Sequence, residues 1–96
     1  GNVIHKRIPA EERKVISDLL SESIQYSLDH RPEAVAHALQ YARDMGVELA
    51  DQFVGMYVNH WTLDYGDRGR ESIRRFLGQA HEADLIQHRQ ELEFVE

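Results

Sequence analysis

The 96-residue sequence contains no cysteine, and this absence excludes several classes of protein. Disulfide frameworks, zinc ribbons and thiol nucleophiles all require cysteine, so stability must come from packing. A chain without disulfides is typical of the cell interior, and we therefore expect a cytoplasmic protein. This length allows one domain at most, which excludes a large two-lobed enzyme within these residues.

The sequence also lacks an excess of basic residues and long apolar runs. It carries 11 Lys and Arg against 17 Asp and Glu, for a formal net charge of −6. Because nucleic-acid affinity depends mainly on basic side chains, nucleic acid is not an expected partner. The apolar runs are far shorter than the roughly 20 residues of a membrane span, so no membrane partner is expected either. The chain begins GNVIHKR without an initiator methionine, which fits an engineered boundary or a piece of a longer protein.

Apolar residues recur at spacings of three and four through most of the chain, which predicts amphipathic helices. We expect a first helix over residues 9–29, opened by Pro9, and a break at His30-Arg31-Pro32. A second helix is expected from Pro32 to Gly46, where the glycine would supply a left-handed cap. A third is expected over residues 48–61 and a fourth over residues 67–85.

We expect the apolar face of each helix to be buried. The four faces consist of Ile16, Leu19, Leu20, Ile24 and Leu28; Val35, Ala38, Leu39 and Ala42; Phe53, Val54, Tyr57, Val58 and Trp61; and Ile73, Phe76, Leu77 and Ala80. Truncation of a buried Trp61 to alanine should destabilise the fold by roughly 3 to 5 kcal/mol. Asp64 or Asp67 is expected to cap the fourth helix, and Glu71 with Arg75 forms a favourable pair at four-residue spacing.

The two ends differ from this helical middle. Val3 and Ile4 are β-branched, and residues 91–95 alternate polar and apolar, so either end could be a strand. A two-stranded sheet is marginal by itself, so strand-like ends suggest missing partners. We therefore divide the chain into a returning strand or hinge segment (1–8), a helical part (9–86) and a C-terminal tail or strand (87–96). The fold class is mainly α, with about four helices.

Few residues form constellations suited to catalysis or metal binding. Glu33 and His37 share a helix face, yet no HExxH motif is present and no further ligand is fixed nearby by spacing. His81 and His88 are separated by an expected helix end. We therefore predict no metal site, no cofactor and ordinary surface histidines.

Two carboxylate pairs and two side-chain clusters have structural explanations. Glu11/Glu12 and Asp64/Asp67 lie at helix starts, where capping and the helix dipole account for them. An arginine cluster could hold an anion, but interleaved acids favour a solvated face. Four aromatic residues are expected in the core rather than on a stacking platform. These clusters consist of Arg68, Arg70, Arg74 and Arg75, and of Phe53, Tyr57, Trp61 and Phe76.

One long run resembles a known family. Residues 53–70, FVGMYVNHWTLDYGDRGR, resemble the YVNxxTLDxGxxGR stretch near the C-terminus of the 1,4-dihydroxy-6-naphthoate synthases of the menaquinone (futalosine) pathway. The start GNVIHK resembles the segment in which that chain leaves its second lobe. Residues 26–34, YSLDHRPEA, resemble a helix junction of the family, and the ending LEFV also fits. The resemblance covers nearly the whole chain.

The resemblance implies a two-lobed, periplasmic-binding-protein-like α/β enzyme of which this chain is the C-terminal third. The family is a lyase that converts cyclic dehypoxanthine futalosine to 1,4-dihydroxy-6-naphthoate without metal or organic cofactor. Its proposed histidine base belongs to an earlier segment, so no catalytic residue is carried over to this chain. Asn2 is the one candidate substrate-binding residue, because the segment that returns from the second lobe runs near the interlobe cleft. The alternative is that Asn2 is a turn or capping residue.

The remaining motif positions Tyr57, Asn59, Thr62 and Asp64 are expected to be structural, as an aromatic anchor followed by side chains that satisfy backbone groups. Two alternatives stay open: a related chorismate dehydratase of the same pathway, and a free-standing helical module whose ends pair with a partner. An open reading frame upstream of Gly1 would distinguish the enzyme from the module. The isolated chain is expected to be inactive and to form a homodimer through apolar surface that a sheet would otherwise cover.

Overall fold

The computed structural model describes residues 1–42 and 44–96, and these residues are mainly helical. They form α1 (Ala10–Asp29), α2 (Arg31–Leu39), α3 (Val47–Tyr57), α4 (His60–Leu63) and α5 (Gly66–Glu82). No strand occurs in either described range. The mainly α class is therefore confirmed for the chain.

The first helix has the bounds that its proline and its following break predict. Pro9 is the N-cap, with φ −53° and ψ 145°, and α1 continues to Asp29. His30 ends the helix: its backbone N–H donates to the Tyr26 carbonyl at 2.9 Å, and its ring stacks on the Tyr26 ring at 4.0 Å. Pro32 then lies in the first turn of α2, where a missing N–H is tolerated.

The expected end of the second helix is wrong. After Leu39 the backbone hydrogen bonds span three residues instead of four: the N–H groups of residues 40–42 donate to the carbonyls of residues 37–39. These tighter turns end the helix. Gly46 has φ −72° and ψ 162° and is the N-cap of α3, so it does not supply the left-handed cap that the sequence predicts. Asp44 is the residue with positive φ, at 54°. Arg43, which falls within the predicted helix, lies outside the described residues.

The expected single helix over residues 48–61 is also wrong, because the structure divides it into α3 and α4. Val58 and Asn59 are extended, with φ −126° and −153°, and interrupt the helical backbone. The last helix begins at Gly66 and ends at Glu82, close to its predicted start and before its predicted end. Asp84, with φ 57°, turns the chain away just beyond it.

Helix α2 packs between α1 and α3, and α4 contacts α1. The α2–α3 contact is fixed by Arg31, whose Nε donates to Asp51 Oδ1 at 2.6 Å. Gly55 makes room for this side chain, because a Cβ at that position would lie 2.5 Å from Arg31 Nη2. The absence of a side chain at Gly55 therefore allows the two helices to share one polar contact.

The core is small, and the expected burial of the four apolar faces is wrong for most of their large members. Among the described residues, Val35 and Ala50 are buried, at 2% and 4% exposure. Trp61 is 45% exposed and Phe76 is 71% exposed. The other predicted inward residues that are exposed are Ile16, Leu19, Leu20, Phe53 and Tyr57. No second layer of secondary structure lies opposite these faces in the described part of the chain, so they remain in water.

The dimensions of the chain show the same incomplete packing. Its accessible surface is 8265 Å², whereas a compact monomer of its mass exposes about 5,700 Å². Its radius of gyration is 16.5 Å, against about 12.5 Å for a compact domain of this length. The excess of roughly 2,600 Å² is as large as the area buried in many obligate interfaces.

Side chains, rather than strand pairing, hold the C-terminal tail. The Phe94 ring lies 5.0 Å from the Arg70 guanidinium and 5.2 Å from that of Arg74. Glu93 approaches Arg13 at 3.8 Å, and Glu96 forms an ion pair with Arg70. The tail therefore contacts both α1 and α5.

None of the described helices is long and apolar enough to cross a membrane.

Candidate functional site

One open cleft, of about 890 Å³, is called the motif cleft here. It brings the N-terminal segment against the residues that carry the family resemblance. Its lining residues are Gly1, Asn2, Met56, Tyr57, Asn59, Trp61, Thr62, Tyr65, Arg68, Gly69, Ser72 and Ile73. The structure thus places the sequence-predicted Asn2 in the same cleft as the 53–70 motif.

Asn59 and Thr62 shape one wall of the motif cleft by capping each other. The Trp61 backbone N–H donates to Asn59 Oδ1 at 3.0 Å, and the Asn59 backbone N–H donates to Thr62 Oγ1 at 3.2 Å. The side-chain amide of Asn59 also donates, through Nδ2, to the Gly55 carbonyl at 3.0 Å. The Thr62 hydroxyl donates to the Tyr57 carbonyl at 2.9 Å. Both polar side chains are therefore used to join α3 to α4, which is the structural role that the sequence predicts for them.

Asp64 and the glycines of the motif hold the turn into α5 beside this wall. Asp64 Oδ1 accepts from the Gly66 backbone N–H at 2.8 Å, and Gly66 has a positive φ of 59° that favours glycine. Asp64 thus satisfies a donor at the start of α5, although Tyr65 occupies the N-cap position. Gly69 lets the Tyr65 side chain lie across the helix, because a Cβ there would be 2.8 Å from Tyr65 Cβ.

Tyr65 connects the first residue of the chain to the last helix. A Cβ on Gly1 would lie 2.6 Å from the Tyr65 hydroxyl oxygen, and the Tyr65 and Phe94 ring centroids are 6.4 Å apart. The N-terminal segment and the C-terminal tail therefore meet at one aromatic side chain. Asn2, the next residue, lines the cleft beside this contact.

Arg68 is the charged side chain of the cleft lining, and no Asp or Glu lines it. Its guanidinium forms no ion pair or hydrogen bond with the described residues, whereas its carbonyl accepts from the Ser72 hydroxyl at 2.8 Å. Asn2 likewise has no side-chain hydrogen bond to the described part of the chain, so it is not tied to a capping role there. The substrate-binding role of Asn2 stays a prediction.

The predicted arginine cluster is divided by the structure into residues that hold the tail and residues that do not. Arg70 pairs with Glu96, and this hydrogen bond raises the pKa of the Arg70 guanidinium, with the Coulomb attraction of Glu96, Asp64 and Asp67 in the same direction and desolvation opposing it. Arg74 forms an ion pair with Glu71 at 3.9 Å, so Glu71 does not select Arg75 as the spacing predicts. The solvated-face interpretation is wrong for Arg70, whose side chain is mostly covered.

None of the histidines lines the cleft, although the His60 ring lies 4.7 Å from the ring of Trp61, which does. Within residues 1–42 and 44–96, no group of three or more His, Asp or Glu side chains is placed to hold a metal ion. His37 packs edge-on against Tyr41, with ring centroids 5.7 Å apart. Glu11 and Glu12 lie in the first turn of α1, where the helix dipole favours negative charge.

The cleft as a unit is not among the features that the sequence predicts, since its arginines are expected in one cluster and its aromatic residues in the core. The signal is present in the spacing of one helix, where positions 65, 68, 69, 72 and 73 share a face beside the motif loop. That face becomes recognisable only when the break at Val58 and Asn59 turns Trp61 away from α3.

Known proteins have sequences similar to this part of the chain. The family described as "Menaquinone biosynthesis" matches residues 1–82. A 1,4-dihydroxy-6-naphtoate synthase of Streptomyces coelicolor is 30% identical over 89 residues, which are 90% of this chain and 31% of that protein. A protein of the same name from Thermus thermophilus is 26% identical over 72 residues, which are 75% of this chain and 26% of that protein. No solved structure gives a significant match.

The family match runs from the N-terminal segment to the end of α5 and includes every residue that lines the motif cleft. This chain spans between a quarter and a third of the length of the two curated relatives. The resemblance carried by the 53–70 run is thereby confirmed. The chain belongs to the menaquinone biosynthesis family.

Proposed function

We propose that this chain is the C-terminal portion of a menaquinone-biosynthesis lyase that converts cyclic dehypoxanthine futalosine to 1,4-dihydroxy-6-naphthoate. The observation that carries the proposal is the family match over residues 1–82, together with two relatives that share the name of such a synthase. The enzyme would work in the cytoplasm without a metal or organic cofactor.

The proposed parent is a two-lobed, periplasmic-binding-protein-like α/β protein, in which this chain covers a sheet with its helices. The surface of the chain supports this arrangement, because it exposes roughly 2,600 Å² more than a compact monomer of the same mass. The exposed apolar residues of α1, α3 and α5 would supply the buried side of such a layer. The segments 1–8 and 87–96 would then find partner strands in the parent.

In this proposal the chain contributes to substrate binding and the catalytic groups lie upstream. Asn2 is the proposed substrate-binding residue, and its position in the lining of the motif cleft supports that role. The 96-residue chain alone would be inactive, because the described residues that line the cleft include no Asp, Glu or His to act as general acid or base.

The test compares the chain with the product of its complete reading frame. Each protein is incubated with cyclic dehypoxanthine futalosine, and naphthoate is measured by chromatography and mass spectrometry. We expect product from the longer protein and none from the 96-residue chain. Naphthoate formation by the short chain would overturn its proposed inactivity.

The same preparations distinguish the two alternatives. Loss of water from chorismate, with no turnover of the futalosine derivative, would assign the protein to the related chorismate dehydratases. A reading frame that begins at this chain, with neither activity, would favour a free-standing helical module.

A further inference from the structure

We infer that residues 93–96 form a strap that positions the N-terminal segment in the motif cleft, with Phe94 as the positioning residue that acts through Tyr65. The inference goes beyond the proposed function, because it concerns what holds one wall of the cleft and not the reaction that the cleft serves. Asn2 lines the cleft as part of that segment, so its position depends on the strap.

The N-terminal segment has little of its own to hold it against the cleft. Residues 1–4 form no hydrogen bond with the described part of the chain. At the tip of the segment, Gly1 lies against the Tyr65 hydroxyl, so closely that an added Cβ would be 2.6 Å from that oxygen. At its base, Lys6 lies 4.0 Å from Glu93 of the strap. The strap therefore contacts the base of the segment directly and its tip through Tyr65.

Phe94 is the aromatic anchor of the strap. Its ring meets the Tyr65 ring edge-on, with centroids 6.4 Å apart. The guanidinium groups of Arg70 and Arg74 lie 5.0 and 5.2 Å from the centre of the same ring. Edge-on aromatic pairs and cations within about 6 Å of a ring are both favourable contacts. One side chain of the tail thus joins Tyr65 to two turns of α5.

The two glutamates of the strap bind different elements. Glu96 pairs with Arg70 of α5, and Glu93 lies 3.8 Å from Arg13 of α1. The Arg13 side chain is only 16% exposed, and its Nε has no hydrogen-bond partner among the described residues, so the Glu93 carboxylate offsets a mostly covered charge. Because exposed ion pairs contribute little each, we expect Phe94 to matter more than either glutamate.

The strap connects elements that helix packing leaves apart. The main helix packings join α2 to α1 and α3, and α4 to α1, and α5 takes part in none of them. The strap uses side chains for this purpose, since the backbone groups of residues 91–96 form no hydrogen bond within the described ranges. These groups stay available to the partner strand that we propose in the parent protein.

Backbone order in the 96-residue chain, measured by ¹⁵N relaxation, tests the strap. Phe94→Leu keeps an apolar side chain and removes the ring, whereas Phe94→Tyr keeps the ring and tests rescue. Glu93→Gln removes one charge of the strap. Glu91→Gln is its matched control, because Glu91 is an exposed tail glutamate that forms no ion pair with the described residues.

In the unaltered chain we expect residues 2–4 to have order parameters near the value of about 0.85 for rigid backbone, and a nuclear Overhauser effect between Gly1 and the Tyr65 ring. Phe94→Leu should lower these order parameters below about 0.6 and abolish the Overhauser effect, while α1, α2 and α3 keep their order. Phe94→Tyr should preserve both signals. Glu93→Gln should loosen residues 2–4 by a smaller amount, and Glu91→Gln should not change them.

The inference is overturned if residues 2–4 are already disordered in the unaltered chain, or stay ordered in Phe94→Leu. Equal effects of the two glutamine variants, or a loss in Phe94→Tyr as large as in Phe94→Leu, would also reject it. Equal loosening of residues 2–4 and of α1 to α3 in a folded variant would show support of the whole fold rather than positioning of the segment.

Circular dichroism melting shows whether each variant is folded. If Phe94→Leu does not fold, the comparison of Glu93→Gln with Glu91→Gln decides. The measurement uses no substrate, so its result is independent of the proposed reaction: a disordered segment would reject the strap even if the longer protein forms naphthoate.

Discussion

Arg31 binds Asp51 through two different acceptors. Its Nε donates to the carboxylate Oδ1 at 2.6 Å, and its Nη2 donates to the backbone carbonyl of the same residue at 2.7 Å. The first acceptor belongs to the side chain of α3 and the second to its backbone, so one guanidinium fixes both the position and the rotation of that helix against α2. A planar fork of donors holds both acceptors in fixed directions, which the rotatable ammonium of lysine does not do.

Replacement of Arg31 by lysine should therefore lower the free energy of unfolding by about 1 kcal/mol, although the charge is kept. The loss is modest because both side chains are partly exposed and screened by solvent. Urea denaturation measures it. Lys14→Gln is the control, because Lys14 pairs with Asp18 on the exposed face of α1 and should change stability little. Equal losses in the two variants would contradict the special role of Arg31.

Asn59→Ala should destabilise the chain by about 1 to 2 kcal/mol, because it removes the N-cap of α4 and the amide bonds to the end of α3. Thermal melting followed by circular dichroism measures the change. Gln52→Ala, an exposed substitution within α3, should be close to neutral. If both variants melt together, the α3–α4 junction does not contribute to stability.

Two glycines of α5 should respond to alanine with opposite signs. Gly66 has φ 59°, so Gly66→Ala should destabilise by about 1 kcal/mol. Gly78 lies inside the helix, and an added Cβ there would meet nothing within 4 Å, so Gly78→Ala should stabilise by roughly 0.5 to 1 kcal/mol. The midpoints of chemical denaturation give the sign of each change. A stabilising Gly66→Ala would refute the left-handed turn.

The isolated chain should form a homodimer at micromolar concentration. Its exposed surface exceeds that of a compact monomer by roughly 2,600 Å², and exposed apolar area drives association at about 25 cal/mol per Å². A two-fold dimer is the commonest way to close such a surface. Sedimentation velocity over a concentration series tests this. A monomer at all concentrations would favour the free-standing module over a part of a larger protein.

The sequence predicts those features of the fold that depend on neighbouring residues. The predictions fail where contacts between distant residues determine the structure. The helix starts near Pro9 and Pro32 are recognised because proline is tolerated in the first turn of a helix; the break itself falls at His30, and Arg31 already belongs to α2. The split after Tyr57 is not predicted, yet the Asn59 and Thr62 spacing carries a capping signal that is sufficient to indicate it. Burial is predicted worst, since a helical period shows which face is apolar but not whether another layer covers it.

Trp61 illustrates that failure, and its exposure lowers the loss of stability expected when it is replaced by alanine. At 45% exposure, its replacement by alanine in this chain should destabilise by about 1 to 2 kcal/mol, rather than by the larger amount expected for a buried aromatic. Urea denaturation of Trp61→Ala distinguishes the two values. A loss of the larger size would show that the ring is covered in solution, as by self-association.

The meeting of both chain ends at Tyr65 has a consequence for the connectivity of the molecule. Gly1 lies against the Tyr65 hydroxyl, Phe94 lies beside its ring, and Glu93 reaches Lys6 at 4.0 Å. Ends this close can be joined by a short peptide linker, and a new start can be opened in an exposed connection between helices. Circular permutation is therefore compatible with this arrangement. The helices could keep their positions in space although their order along the chain is changed.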